Sequence, residues 1–242
     1  MIKDNVTIDT PLRDLLDQSP QAAPLLMQLG LDPAKHGEQT LRELGRMNSI
    51  DPMMTLQVML AWDTAAPDES DQPWTEAPIN ELIDHIVASH HEYLRRQLPR
   101  IVLLLSKALH DNGSHKQDLD EILDLFQQLR HLLERHIIVQ EVVVFPRMLE
   151  LIQAVDYQMP YEGGLRQAMR EMRHDFLHIG TIFEQLREKT DRFSAPPGTT
   201  IAYQAAMEEL AELEGQLQRH THVEEHALFP RVLELEQQLL MR

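Results

Sequence analysis

From residue 79 onward the apolar positions recur at helical spacing, and no stretch alternates with the period of two that a half-buried strand requires. Leu82, Ile86, Leu94, Leu98, Ile101 and Leu105 fall three, four or eight residues apart. The pattern predicts four long helices, over about 79–111, 117–153, 164–190 and 199–240. Asp111-Asn112-Gly113 and Ser194-Ala195-Pro196-Pro197-Gly198 punctuate them. Helices of this length predict an up-down-up-down four-helix bundle over residues 79–242. Ahead of it, residues 1–63 read as a small helical domain. Thr10-Pro11 opens a helix, Gly30 closes another, and Gln39-Thr40-Leu41 and Asp51-Pro52 start two more. Residues 64–78 hold three prolines among acidic and small residues and read as a linker, with Trp74 anchoring it on a surface. The fold class is all-α. A domain as small as the first is marginal alone, so it is expected to dock on a partner or on the larger domain.

One segment of the bundle occurs twice. Arg135-His136-Ile137-Ile138-Val139-Gln140-Glu141 runs on to Phe145-Pro146-Arg147, and Arg219-His220-Thr221-His222-Val223-Glu224-Glu225 runs on to Phe229-Pro230-Arg231. Eleven positions match at the constant offset of 84. A weaker echo, His91-Glu92-Tyr93-Leu94 against His174-Asp175-Phe176-Leu177, stands at an offset of 83. The bundle thus reads as two copies of a helical hairpin. Pseudo-twofold symmetry would bring His91, His136, His174 and His220 together at its centre. His220 and Glu224, at i and i+4, lie about 40° apart on one helix face and can reach one metal. Imidazoles with carboxylates suit non-haem iron or manganese. Four buried imidazoles without a metal would leave many polar groups to satisfy. Each Phe-Pro pair reads as structural, the phenylalanine filling core and the proline deleting a backbone bond.

Composition narrows the function classes. With 22 basic against 39 acidic side chains the net charge is −17, which repels nucleic acid and anionic lipid. No apolar run approaches the roughly 20 residues of a membrane span, and the first residues lack a signal-peptide core. The absence of cysteine removes thiolate ligands and thiol catalysis. A cytoplasmic protein is expected. His222-Val223-Glu224-Glu225-His226 also matches the His-x-x-Glu-His pattern of inverted zinc peptidases, which need a further ligand well downstream. Too little chain follows, so His222 and His226 are expected on the outer face or behind the metal ligands as supporting residues.

Leu82-Ile83-Asp84-His85-Ile86, His174-Asp175 and the two His-plus-Phe-Pro frames resemble the hemerythrin-like di-iron bundles. With Leu29-Gly30-Leu31-Asp32 and Gln39-Thr40-Leu41 added, nearly the whole chain resembles the repair-of-iron-centres family, bacterial proteins linked to mending iron–sulfur clusters after nitrosative or oxidative damage. The resemblance implies iron ligands at His91, His136, His174, His220 and Glu224. It implies two irons, with one as the alternative, and a diatomic ligand, O2 or NO. It also implies a damaged iron–sulfur protein as partner and allows a homodimer. A sensor or store without turnover, and a metal-free interaction bundle, are the competing readings.

Two departures stand against the family pattern. Where the family has a carboxylate four residues after the helix-two histidine, this chain has Gln140. Glu141 follows, but i+5 is about 140° away on a regular helix, so it turns inward only if the helix bulges, which the bond lost at Pro146 allows. Hemerythrins proper use an i+5 carboxylate and a His-x-x-x-His pair, which the resemblance would assign to Glu141 and to His174 with His178. In the small domain, Ala34 and Lys35 stand where the family carries adjacent cysteines, followed by His36-Gly37.

Overall fold

The computed structural model describes residues 6–62, 74–111, 116–153 and 164–241. Residues 64–73 of the expected linker and the Asn112-Gly113 stop lie outside that set. Among the described residues every regular element is helical, and the lone extended pairing is an isolated bridge between Pro11 and Thr40. The chain is all-α, as the spacing of apolar residues predicts. Among the described residues no helix is long and apolar enough to cross a membrane.

Two compact units divide the chain. The first is drawn from residues within Met1–Ala66, Arg95–Gln127 and Gln185–Leu213. It begins with α1 (Leu12–Gln18), a 3₁₀ turn (Pro20–Ala22), α2 (Ala23–Gln28), α3 (Pro33–His36), α4 (Leu41–Asn48) and α5 (Pro52–Trp62). Local chemistry sets these boundaries. Gly30, at φ 76°, takes the left-handed conformation that ends α2. Asp32 accepts from the Ala34 N–H at 3.0 Å and caps α3. Thr40 and Glu43 form a reciprocal capping box on α4, with Thr40 N–H donating to Glu43 at 2.9 Å and Glu43 N–H to Thr40 Oγ1 at 3.2 Å. Leu12, Leu25, Leu26, Leu41 and Leu44 are buried.

Long helices complete this unit: most of α7 (Glu92–Asp111), the first half of α8 (Lys116–Val139), the end of α10 (Gly164–Lys189) and the start of α11 (Ile201–Val223). Two cations on α7 tie the small helices to them. Arg100 is buried and donates from Nε to Glu209 at 2.8 Å and from Nη2 to Gln28 of α2 at 2.6 Å. Lys107 Nζ donates to the Asn48 carbonyl at the end of α4 at 3.0 Å and to Asp111 at 2.9 Å. Burial pushes the Glu209 carboxyl up, and the adjacent Arg100 pulls it back.

The second unit is drawn from residues within Pro67–Leu94, Gln128–Glu184 and Glu214–Arg242. It holds α6 (Ile79–His85), α9 (Phe145–Gln153), α12 (Phe229–Leu240), most of α10 and the ends of α8 and α11. All four of its helical lines feed one core, with Leu82 and Ile86, Phe145 and Met148, Met169 and Met172, and Phe229 and Val232 buried together. Three of the lines carry a π turn: Ile86–His91, Gln140–Val144 and Glu224–Leu228. The last two stand at the repeat offset of 84, immediately ahead of Phe145-Pro146 and Phe229-Pro230. A proline has no N–H for the carbonyl four residues back, so the ladder slips to the wider five-residue register there. Both phenylalanines fill the core, and both prolines are exposed.

Candidate metal centre

The two π turns set the site. A π turn admits one extra residue into the helix, so Gln140 and Glu141 both reach His91 of the first line. His91 Nε2 lies 2.8 Å from Gln140 Oε1, and His91 Nδ1 lies 2.7 Å from Glu141 Oε1. The bulge that Glu141 needs is thus present. Gln140 in turn donates from Nε2 to Glu224 Oε1. Glu224 Oε1 is 3.4 Å from His220 Nε2, and His220 Nε2 is 3.4 Å from His136 Nε2. A continuous run of contacts therefore leads from Glu141, whose side chain is 25 % exposed, through His91, Gln140 and Glu224 to His220 and His136, each of which is at most 2 % exposed.

Burial sets the electrostatics. Desolvation pushes the Glu224 carboxyl up to about 8, with the Gln140 N–H opposing it. Desolvation takes the His136 imidazole down to about 3, helped by the neighbouring His91. His220 is driven well below its ordinary value by burial and then by His136, His91 and His90. Burial in the metal-free pocket therefore favours the neutral forms of His136, His220 and Glu224.

The donor set fits a metal. One nitrogen each of His136 and His220 and one oxygen of Glu224 lie within 4.8 Å of one another. His136 Nδ1, His220 Nδ1 and Glu224 Oε2 are buried without a hydrogen-bond partner. Leaving such a group unmet costs about 1–3 kcal/mol, a cost that ligation would offset at Glu224 Oε2, while the imidazole nitrogens that converge on the centre are the Nε2 atoms. Two nitrogens with a carboxylate are donors for non-haem iron or a similar borderline cation.

The structure does not bring in every residue that the sequence nominates. His174 and His178 are exposed on α10. Phe176 stands at the centre instead, its ring 4.7 Å from that of His136 and 6.1 Å from that of His220. The cause is the register of α10, which buries Met172, Ile179, Ile182 and Phe183 and so turns its 174 and 178 positions outward. Asp175 pairs with Arg135 at 2.6 Å and holds that register. His222 and His226 are exposed, as expected, and their rings stack 4.3 Å apart. His90 went unnoticed in the sequence. It is buried, and its ring lies 5.3 Å from that of His220. Only the π turn ending at His91, which packs both neighbours inward, reveals it.

A bundle core with this imidazole and carboxylate set defines a class of cation-binding helical proteins. Residues 82–232, well over half the chain, match the family described as hemerythrin HHE cation binding domain, and the chain belongs to that family. Over nearly its whole length it is also similar to iron–sulfur cluster repair proteins named YtfE. It is 28% identical over 225 residues to that of Edwardsiella ictaluri strain 93-146, covering 93% of this chain and 97% of the relative. It is 29% identical over 233 residues to that of Escherichia coli strain UMN026, with the same coverage of each. The resemblance to the repair-of-iron-centres proteins is borne out.

Proposed function

We propose that this chain holds iron in its bundle core and serves iron–sulfur cluster repair under nitrosative or oxidative stress. The buried His136–His220–Glu224 cluster, with its converging donor atoms and the unmet Glu224 Oε2, is the observation that carries the reading. The family match and the YtfE relatives support it. In this reading the protein works in the cytoplasm on a damaged iron–sulfur protein, and O2 or NO is the diatomic it meets.

The centre we propose has two unequal positions. His136, His220 and Glu224 hold the tighter iron. His91, oriented by Glu141, is the start of a second and weaker one, which His174 completes only if α10 turns about its axis. Gln140 is why they are unequal, because a neutral amide cannot bridge two cations as an anion does. Bound iron supplies a redox-active centre for a diatomic ligand. The protein's own part is to keep His136 and His220 neutral, to surrender the Glu224 proton on loading, and to orient His91 through Glu141.

Iron titration of the purified chain with analysis of bound metal tests this. About one tightly held equivalent, followed by a weaker one, is expected. A chain that stays iron-free after iron-replete expression would sink the proposal. Restored activity of a damaged iron–sulfur enzyme separates repair from an iron or NO store, which would bind iron and restore nothing.

A further inference from the structure

A cleft of about 420 Å³ opens within the second unit, lined by Trp74, His85, His90, Gln218, Arg219 and His222. Its lining contains no carboxylate, although the chain carries a net charge of −17. Three imidazoles, a guanidinium and a carboxamide supply N–H donors, and the indole supplies a flat apolar wall. The guanidinium fork matches a planar or tetrahedral oxyanion two bonds at a time.

The cleft is a built feature. Trp74 stacks on His85 with ring centres 3.9 Å apart and planes 21° apart. Its backbone carbonyl accepts from Arg231 Nη1 at 3.1 Å, and that of Ala77 accepts from Nη2 at 2.6 Å, so the indole wall is pinned to α12. On α11, Arg219 folds back along the helix over Gly215, its Nη1 passing 3.9 Å from where a Cβ would stand, an ordinary contact distance. Gln216 accepts from Arg219 Nε at 3.3 Å and steadies that pose. Gln218, Arg219 and His222 form the exposed lip, and the buried His90 forms the inner wall. The His90 ring stands 5.4 Å from that of His85 and 5.3 Å from that of His220.

We propose that this cleft binds a small oxyanion, a carboxylate or a phosphate, held by Arg219 and His222 against Trp74 and seated one imidazole away from His220. The site is separate from the metal cluster and does not rest on the iron reading.

The chain has two tryptophans, Trp62 and Trp74, so the full chain carrying W62F reports from Trp74. Its emission is titrated with succinate and, separately, with inorganic phosphate at constant ionic strength, and iron content is measured on the same samples. A saturable change is expected at low-millimolar anion, weakened roughly 10-fold by R219Q with bound iron unchanged. Saturation by succinate alone assigns carboxylates, and saturation by phosphate alone assigns phosphates. No saturable response to either anion, a response reproduced by chloride, or an undiminished response in R219Q overturns the proposal. If R219Q loses helical signal, H222Q applies the same test from the other side of the lip.

Discussion

Gln140 donates its side-chain N–H to Oε1 of the Glu224 carboxyl group, so the two equivalent positions of the sequence repeat meet directly at the centre. Placing a carboxylate at both positions would set two acids against each other in a buried space. Metal-free Q140E is therefore expected to lose about 3–5 kcal/mol of stability. Iron binding to the added carboxylate should recover most of it. Thermal unfolding with and without ferrous iron checks this. Equal midpoints for Q140E and the parent chain in the metal-free state would show that the contact does not govern the site.

His220 touches both His136 and Glu224, whereas His174 is exposed on α10. H220A should weaken the tight iron by roughly 100-fold, while H174A should leave that equivalent in place and lower only the weaker one. Competition against a ferrous chelator resolves the two. Loss of the tight equivalent in H174A would mean that α10 presents a different face when metal is bound.

Burial raises the Glu224 pKa to about 8 from an ordinary value of 4.5. A raised folded-state pKa contributes stability that is fully present below about 4.5 and is lost as pH rises through about 8. E224Q removes that dependence. The metal-free variant should match the parent near pH 4.5 and exceed it above pH 8 by up to roughly 4 kcal/mol. Urea midpoints across this range, each in metal-free buffer, give the comparison. Parallel curves would mean that Glu224 is ionised in the apoprotein. The depressed His136 pKa has the opposite sign: its contribution is present above 6.5 and lost as pH falls toward about 3, in both proteins alike.

Arg100 holds Glu209 with side chains 5 % and 16 % exposed. Removing the cation alone leaves a buried carboxyl unpaired, so R100M should cost about 3–5 kcal/mol, and R100M with E209Q should regain a large part of it. Urea midpoints of the two variants test this, and equal midpoints would show that the pair is dispensable.

Much of the fold was legible because apolar spacing along a helix reports which face is buried. Helices over about 79–111, 117–153, 164–190 and 199–240 follow directly from it, and the helix start at Thr40 is read from Gln39-Thr40-Leu41, whereas the short helix that Asp32 caps is not. The repeat nominated His136 and His220, because equal frames at a constant offset place equal side chains on equal faces, and the i+4 spacing from His220 nominated Glu224. The Phe-Pro pairs even foretold where the helices bulge, since a missing N–H is a property of the residue itself. The echo between His91 and His174 was a poorer guide. Its two identities carry little weight against the run Met172, Phe176, Ile179 and Phe183, which sets how α10 faces the core.

The sequence by itself determined the helices, the bulges ahead of the two Phe-Pro pairs and the residue types available for a metal, but not the π turn at Ile86–His91. Tertiary structure alone decided that Gln140 would meet Glu224, that Phe176 rather than His174 would stand beside His136, and that His90 would lie against His220. It also decided that burial would push the Glu224 carboxyl well above the ordinary carboxyl range. Helical periodicity is local, whereas contact and desolvation arise only when separate helices close around one space and exclude water from it.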